Sequence, residues 1–246
     1  MIFWVTMKPI RKEEINSLRF AIQHFQDCYL VSSVGALANS TNGRRILSEN
    51  IAHTQDGFRV RFRNINGQTR DFFVTQKEMD NLIYMDKYCN PIEVKIPHNP
   101  IVKAIEVAME KLLTQNPGKK PWICRIPRCN EKFEFNKPSN FLEMFTGIKP
   151  TILNESGLML TLRSKQKTAA NLFERIKHNP DNSFVGGTSI WFNKDLMSTH
   201  CYSLNGINKD SLEIFDHRQQ KNIRLTFQDV IKKMKFIVGY FNDDLV

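Results

Sequence analysis

The sequence predicts an α+β fold, with helical patterns early in the chain and strand patterns late. Apolar residues recur at helical spacing over residues 28–38 and again over 101–112. Apolar and charged residues alternate over 58–63, as in a half-buried strand, and the chain from about Ser183 onward is typical of further strands. We therefore expect helices and antiparallel strands to occupy different parts of the chain.

Composition favours a globular protein of one large or two small domains. The chain has 246 residues, 41% of them hydrophobic, so it can bury a sizeable core. Five cysteines, an odd number, argue against a secreted disulfide framework. The opening MIFWV lacks the features of an export signal, and no stretch reaches the ~18 apolar residues of a membrane span. We therefore expect a monomeric, cytoplasmic protein without a membrane span.

A formal net charge of +10 permits an acidic protein partner, nucleic acid or an anionic surface. The basic residues are scattered, however, and their densest groups, GRR and RVRFR, are short. A patch could form from five arginines, Arg44, Arg45, Arg59, Arg61 and Arg63. No RNA-recognition, zinc-finger or helix-turn-helix pattern accompanies them. Nucleic-acid binding is therefore the weaker hypothesis, and a solvated basic surface is the stronger one.

The first strong helix begins at a cysteine. Asp27 is a good N-cap, and the apolar residues that follow Cys28 recur at helical spacing. The positions between them carry small side chains: Ser32, Ser33, Gly35, Ala36 and Ala38. Because small residues let neighbouring elements approach closely, we expect this helix to be central and buried.

Turn and capping signals define the next elements. Asn66-Gly67 predicts a hairpin after the strand at 58–63, and TQKE at 75–78 has the capping-box form for a helix to about Tyr84. HNP at 98–100 begins the strongest helix, with asparagine as its cap and proline in its first turn. Two shorter helices follow, one ending at Gly147 and one over 167–177.

A late hairpin places a carboxylate beside an imidazole. Two apolar-rich strands flank a polar NKD turn, so the chain folds back near residues 208 and 209. This fold-back makes His200 and Asp216 cross-strand neighbours, within the range where side chains interact.

Cys28 is the candidate nucleophile. A helix N-terminus presents unpaired N–H groups and the positive end of the dipole, which lower the pKa of a thiol. If the fold brings His200 to Cys28, the two make a thiolate–imidazolium pair, and Asp216 orients the ring.

Several segments resemble, in order, those of the calpain family of papain-like proteases. QDCYLVSSVGALA is similar to G-D-C-W-F-L-A-A-L-A-x-L-A, with Asp27 and Cys28 aligned, and GFRVRFRNINGQTRDFFV resembles the hairpin that comes next. NPIVKAIEVAMEKL is similar to W-x-x-x-L-E-K-A-Y-A-K-L, and FLEMFTGIKPT to A-L-x-D-L-T-G-G-x-x-E. THCYSLNGI resembles G-H-A-Y-S-V-x-G-V, which aligns His200, and LEIFDHR takes the place of L-x-R-N-P-W-G.

The resemblance implies the remaining site residues. Asp216 aligns with the family's usual asparagine and would orient the imidazole in its place. The oxyanion-hole glutamine normally lies six residues before the cysteine, where this chain has Ile22. Gln23 is the favoured substitute and Gln26 the alternative. No EF-hand pattern is present, so calcium dependence is not carried over, and neither a metal nor a cofactor is expected.

The fold implied by the resemblance is papain-like and two-lobed. A mainly helical lobe, residues 1–150, would carry Cys28, and an antiparallel β-rich lobe, residues 151–246, would carry His200 and Asp216. Together they would form one catalytic core.

The activity implied is that of a cysteine endopeptidase, which hydrolyses peptide bonds in a protein substrate through a thioester acyl-enzyme. The same fold hosts deubiquitinases, transglutaminases and acyltransferases. An inactive protease-fold module that binds an acidic partner or nucleic acid is a second class of hypothesis. A composition rich in Lys, Asn, Ile and Phe suggests a bacterial protein, and we conjecture a secreted effector.

Other cysteines are weaker candidates. Cys124 and Cys129, with Cys89 and His98 upstream, have spacings at or beyond the limits of common zinc patterns. Cys201 is expected, by strand alternation, to point to the face opposite that of the preceding histidine, which makes it a poor nucleophile candidate.

Overall fold

The computed structural model describes residues 7–23, 28–63, 68–82, 98–115, 138–155, 170–171, 173–178, 181–188, 196–197, 200–208 and 211–240. Within them the fold is α+β, with two antiparallel sheets.

The first part of the chain contains a four-stranded sheet and several helices. The strands lie in the order β1-β2-β3-β4 and are β1 (Lys8–Pro9), β2 (Ile51–Thr54), β3 (Gly57–Arg63) and β4 (Thr69–Thr75). The helices are α1 (Lys12–Ser17), followed by a 3-10 turn (Leu18–Phe20), α2 (Cys28–Asn39), α3 (Thr41–Asn50), α4 (Gln76–Asp80), α5 (Pro100–Gln115) and α6 (Pro138–Thr146).

A six-stranded antiparallel sheet forms the second part. Its strands lie in the order β5-β10-β6-β7-β8-β9. They are β5 (Thr151–Glu155), β6 (Ser183–Thr188), β7 (Cys201–Asn208), β8 (Ser211–Asp216), β9 (Lys221–Thr226) and β10 (Met234–Tyr240). Helix α7, described at 170–171 and 173–178, and helix α8 (Phe227–Lys233) complete it. The boundary predicted at residue 150 separates the two sheets, and the division into two lobes stays a prediction.

Most of the predicted local signals are confirmed. Thr75 caps α4 in a reciprocal capping box, and Asn99 caps α5 by accepting a hydrogen bond from the N–H of Ile101 at 2.9 Å. Helix α6 ends at Thr146, and Gly147 follows with φ of 76°, the left-handed conformation that glycine adopts at little cost. Asp27 and the Asn66-Gly67 turn lie outside the described residues.

Three helices were missed, and the first of them is α1, which has Arg11 at its N-cap position. The expectation that the chain is strand-like from Ser183 is wrong at α8, which begins with a capping box between Thr226 and Asp229. Helix α3 was also not predicted. Its N-cap is Ser40, whose hydroxyl accepts from the N–H of Gly43 at 2.9 Å. The starts of α3 and α8 carry polar caps that sequence alone displays.

Helix α2 connects the two parts of the fold. It is buried from Tyr29 to Ala38, and it packs against β6 and β7 of the six-stranded sheet as well as against α3 and α6. Polar contacts fix its C-terminal end to the same sheet: Asn39 donates to Asn205 at 2.6 Å, and the hydroxyls of Ser40 and Ser183 are 2.6 Å apart. The small residues along α2 permit this close approach.

The closest approach is at Gly35. A Cβ built there would lie 2.5 Å from Cε1 and Nε2 of His217 and 3.5 Å from Cβ of Ser203. The imidazole of His217 is 1% exposed. Glycine is therefore required on this face of α2 because the ring occupies the space that a methyl group would need.

No helix among the described residues is long and apolar enough to cross a membrane.

We predict that Gly35→Ala lowers the free energy of unfolding by about 1–3 kcal/mol, because the added methyl group overpacks the helix–sheet interface. Urea unfolding measures the change. In a His217→Ala background the same substitution should not lower the free energy of unfolding, because the imidazole ring is absent. An equal cost in both backgrounds would show that contact with His217 is not the reason for the glycine.

Candidate active site

Three elements converge on the predicted triad. Cys28 is the first residue of α2, His200 directly precedes β7, and Asp216 is the last residue of β8. The His200 ring lies between the other two side chains, since it interacts with the Cys28 sulfur and its Nε2 is 3.4 Å from Oδ1 of Asp216. Because Nε2 faces the carboxylate, Nδ1 is the nitrogen left for the sulfur.

The β7–β8 register differs slightly from the predicted one. Ser203 lies opposite Phe215, and a bulge follows between Leu204 and Gly206. Continuing this register places Tyr202, not His200, opposite Asp216. The observed pairing is offset from the predicted one by two residues, and an even offset keeps the side chain of His200 on the predicted face of the sheet. His200 and Asp216 are consequently diagonal neighbours and still in contact.

Asp216 is buried and held by a tight turn. Its Oδ1 accepts hydrogen bonds from the backbone N–H groups of Arg218 and Gln219, each at 2.9 Å. Burial alone would raise the pKa of this carboxyl, but the neighbouring His200 imidazolium and the hydrogen bonds from those two N–H groups lower it below its ordinary value. Asp216 is therefore an ionised carboxylate at neutral pH.

The imidazole of His200 is buried and positively charged at neutral pH. Burial lowers its pKa, but the interactions with the Asp216 carboxylate and the Cys28 sulfur outweigh burial and raise the pKa to about 9. The ring packs edge-on against Tyr202, with ring centroids 4.9 Å apart. The 3.4 Å separation from Asp216 is longer than a typical charge-assisted hydrogen bond, as is common in sites without substrate.

Cys28 is half-buried and has the properties of a reactive thiol. Its pKa lies well below the ordinary value, first because the thiol of Cys201 donates to the sulfur, and then, against opposing burial, because the His200 imidazolium hydrogen-bonds to it and attracts its charge. The position at the start of a 12-residue helix favours the thiolate further. Cys28 and His200 therefore form a thiolate–imidazolium pair.

Cys201 lies on the predicted face of β7, and it contacts Cys28 there. Alternation does place Cys201 and Tyr202 on opposite faces of the sheet, since the first packs in the core around α2 and the second in the core on the other side. The face of Cys201 is, however, the face that α2 covers. Its thiol therefore contacts Cys28, and the pKa of Cys201 is raised by this neighbour and by burial. As a nucleophile it remains a poor candidate.

His217 is a residue whose role the sequence did not reveal. Its Nδ1 lies 2.8 Å from the carbonyl oxygen of Ala21, and its Nε2 lies 3.0 Å from the hydroxyl of Ser203. Burial lowers its pKa to about 4, against the opposing hydrogen bond to Ala21. A neutral imidazole therefore connects the segment before Cys28 to β7.

Gln23 is hydrogen-bonded to the backbone of His217. It is 7% exposed, and its backbone N–H donates to the carbonyl of His217 at 3.0 Å. The favoured oxyanion residue is thus buried and fixed beside the residue that follows Asp216. The alternative, Gln26, lies outside the described residues.

The five arginines of the predicted basic patch are occupied within the protein. Arg61 and Arg63 pair with Asp71 at 2.7 Å and Glu49 at 3.0 Å, and Arg59 is buried. Arg44 donates to carbonyls at the end of α2, and Arg45 pairs with Glu49 at 2.7 Å. Such engaged side chains make a poor binding surface for nucleic acid.

No protein-family model matches this sequence, and no curated protein is significantly similar to it. Within the described part of the chain, no group of three or more His, Cys, Asp or Glu side chains could hold a metal ion. The cysteines of the weak zinc pattern, Cys89, Cys124 and Cys129, lie outside that part.

We predict that Asp216→Asn lowers the pKa of His200 from about 9 by about 1–3 units, because the ring loses a neighbouring negative charge. The His200 Cε1–H resonance in an NMR pH titration, identified with His200→Gln, measures the change. Asp229→Asn, which removes a carboxylate paired with Lys233 on α8, should leave that resonance unmoved. A wild-type His200 that titrates at an ordinary value contradicts the geometry.

His217 should make the protein sensitive to acid. Its folded-state pKa, about 4, lies below the unfolded value of about 6.5, so between these values the unfolded chain binds a proton that the folded protein does not. Stability therefore falls as the pH drops through this window, by about 2 kcal/mol between pH 7 and pH 5 from this group.

The measurement is urea unfolding at both pH values. Between pH 7 and pH 5 the free energy of unfolding of His217→Gln should fall by about 2 kcal/mol less than that of the wild type. His178→Gln, which changes an exposed histidine, should behave as the wild type does. Equal losses in all three proteins would refute a neutral buried imidazole at position 217.

Proposed function

We propose that this protein is a cysteine endopeptidase of papain-like fold, which hydrolyses peptide bonds in a protein substrate. The observation that carries the proposal is the contact of His200 with both Cys28 and Asp216, in a setting that ionises the thiol and protonates the ring. An ionised thiol beside an imidazolium is the form in which a cysteine attacks a carbonyl carbon at neutral pH.

The arrangement of elements supports the papain-like fold. The nucleophile begins a buried helix, and that helix packs on an antiparallel sheet that supplies the histidine and the carboxylate. The order of the three residues along the chain, cysteine, histidine and then the orienting residue, agrees with the resemblance to calpain-type sequences.

The proposed reaction is acyl transfer in two steps. The Cys28 thiolate attacks the substrate carbonyl carbon, and His200 donates its proton to the leaving amine. The neutral His200 then removes a proton from water, which attacks the thioester and releases the acid. Asp216 keeps the ring oriented and stabilises its charged form throughout.

Two donors would hold the oxyanion. The backbone N–H of Cys28 is one, because it lies in the first turn of α2, where N–H groups have no partner within the helix. The side chain of Gln23 is the other. Its burial and its anchored backbone support this role, since a preorganised donor is more effective than a mobile one.

The competing hypotheses predict different products. Other acyl-transfer enzymes of this fold, such as transglutaminases, acyltransferases and deubiquitinases, would use the same triad with a different acceptor or a different acyl group. A binding module for nucleic acid or an acidic partner would need accessible basic residues, whereas the arginines of the candidate patch are engaged within the protein.

The proposal predicts that a peptidyl vinyl sulfone labels the wild-type protein and not Cys28→Ala. Hydrolysis of a labelled unstructured protein should fall by about 10²–10⁴-fold in His200→Ala, because the general acid and base is lost. His178→Gln serves as the matched histidine control and should retain full activity.

For Gln23→Ala the expected loss in kcat is about 10²–10³-fold, because one oxyanion donor is removed, while alkylation of Cys28 by iodoacetamide continues at the wild-type rate. Mass spectrometry of the products separates hydrolysis from transfer to an added amine. Cleavage that persists in Cys28→Ala would overturn the proposal.

A further inference from the structure

A second thiol lies against the proposed nucleophile. The side chain of Cys201 hydrogen-bonds to the sulfur of Cys28, and the backbone of Cys201 contacts the same sulfur. Both residues pack in the core cluster around α2. We propose that Cys28 and Cys201 form an oxidation site for hydroperoxides, at which the two thiols close into a reversible disulfide.

The two residues are held side by side by rigid elements. Cys201 is the first residue of β7 and pairs with Gly187 of β6, while Cys28 begins α2, whose far end is tied to the same sheet through Ser40 and Ser183. Disulfide geometry requires neighbouring Cα atoms and Cβ atoms directed toward each other. The sulfur of Cys28 lies beside both the thiol and the backbone of Cys201, so the two sulfur atoms are already neighbours.

The two thiols differ in the way that a reactive and a resolving cysteine differ. Cys28 is half-buried and carries the negative charge, whereas Cys201 is 8% exposed and keeps its proton. Oxidation follows thiolate character and access, so a peroxide reacts at Cys28 first. A thiol already in contact with the product then resolves it.

The oxidation balances with hydrogen peroxide, the simplest hydroperoxide, as the oxidant. The Cys28 thiolate attacks one peroxide oxygen, the O–O bond breaks, and His200 protonates the leaving hydroxide to give water and a sulfenic acid. The sulfur of Cys201 then attacks the sulfur of Cys28 and releases its proton. The S–O bond breaks, and the departing hydroxide takes that proton to form a second water. Two thiols are oxidised to one disulfide, and the peroxide is reduced to two waters.

The disulfide would remove the nucleophile until a thiol reductant restores it. This consequence rests on the proposed function, because it presupposes that Cys28 attacks substrates. The oxidation itself depends only on the thiol pair and on His200.

The test is peptide mapping by mass spectrometry after graded exposure of the folded protein to hydrogen peroxide. In the wild type, the peptides that contain Cys28 and Cys201 should become linked, with the loss of two hydrogen atoms, and dithiothreitol should separate them. In Cys201→Ala, the Cys28 peptide should instead gain oxygen and reach the sulfinic acid, which dithiothreitol does not reverse.

Two features make this result decisive. Alanine stands at the position of Cys201 in the family motif quoted above, so Cys201→Ala is expected to fold, and Cys201→Ser with circular dichroism provides the second variant. Equal sulfinic acid at Cys28 in wild type and both variants, links to other cysteines, or survival of both thiols would each overturn the inference. Linked peptides in a protein that cleaves nothing would support it and refute the protease.

Discussion

The ion pair between the Cys28 thiolate and the His200 imidazolium is the interaction on which the proposed chemistry depends. Two opposite charges in a largely buried site are stable only with further polar support. The start of α2 and the thiol of Cys201 stabilise the sulfur, and Asp216 stabilises the ring. These supports come from different segments of the chain, so the pair exists only when α2 is packed on the six-stranded sheet.

That packing assigns separate tasks to consecutive residues at two places in the sheet. At the start of β7, His200 faces the carboxylate while Cys201 faces α2. At the end of β8, Asp216 faces His200 while His217 lies under Gly35 of α2. In each pair one residue belongs to the proposed triad, and its neighbour packs against α2, the helix that begins at Cys28. A substitution at His217 is therefore expected to change the position of Cys28 relative to His200, although His217 is not a member of the proposed triad.

Local patterns predicted the elements and the faces of their residues, but not what covers each face. The small residues of α2 indicated close packing, and alternation placed Cys201 opposite the face of His200, as observed. Which element packs over that face is decided by tertiary structure, and the contact between Cys201 and Cys28 could therefore not be predicted from local patterns. The two-residue offset between His200 and Asp216 comes from the turn, which pairs Asn208 with Ser211 and so lies later than predicted, and the bulge between Leu204 and Gly206 reduces an offset of three residues to two. Because this offset is an even number of residues, His200 lies on the predicted face of the sheet and still meets Asp216.

The most direct test of the ion pair is a pH titration of the ultraviolet thiolate absorbance, taken as the difference between the wild type and Cys28→Ala in the folded state. The account predicts a thiolate that is fully formed at neutral pH and disappears only well below an ordinary cysteine pKa of about 8.5. In His200→Gln the same transition should move upward, because the stabilising cation is lost. A Cys28 thiolate that forms only near the ordinary value, and forms identically without His200, would contradict it.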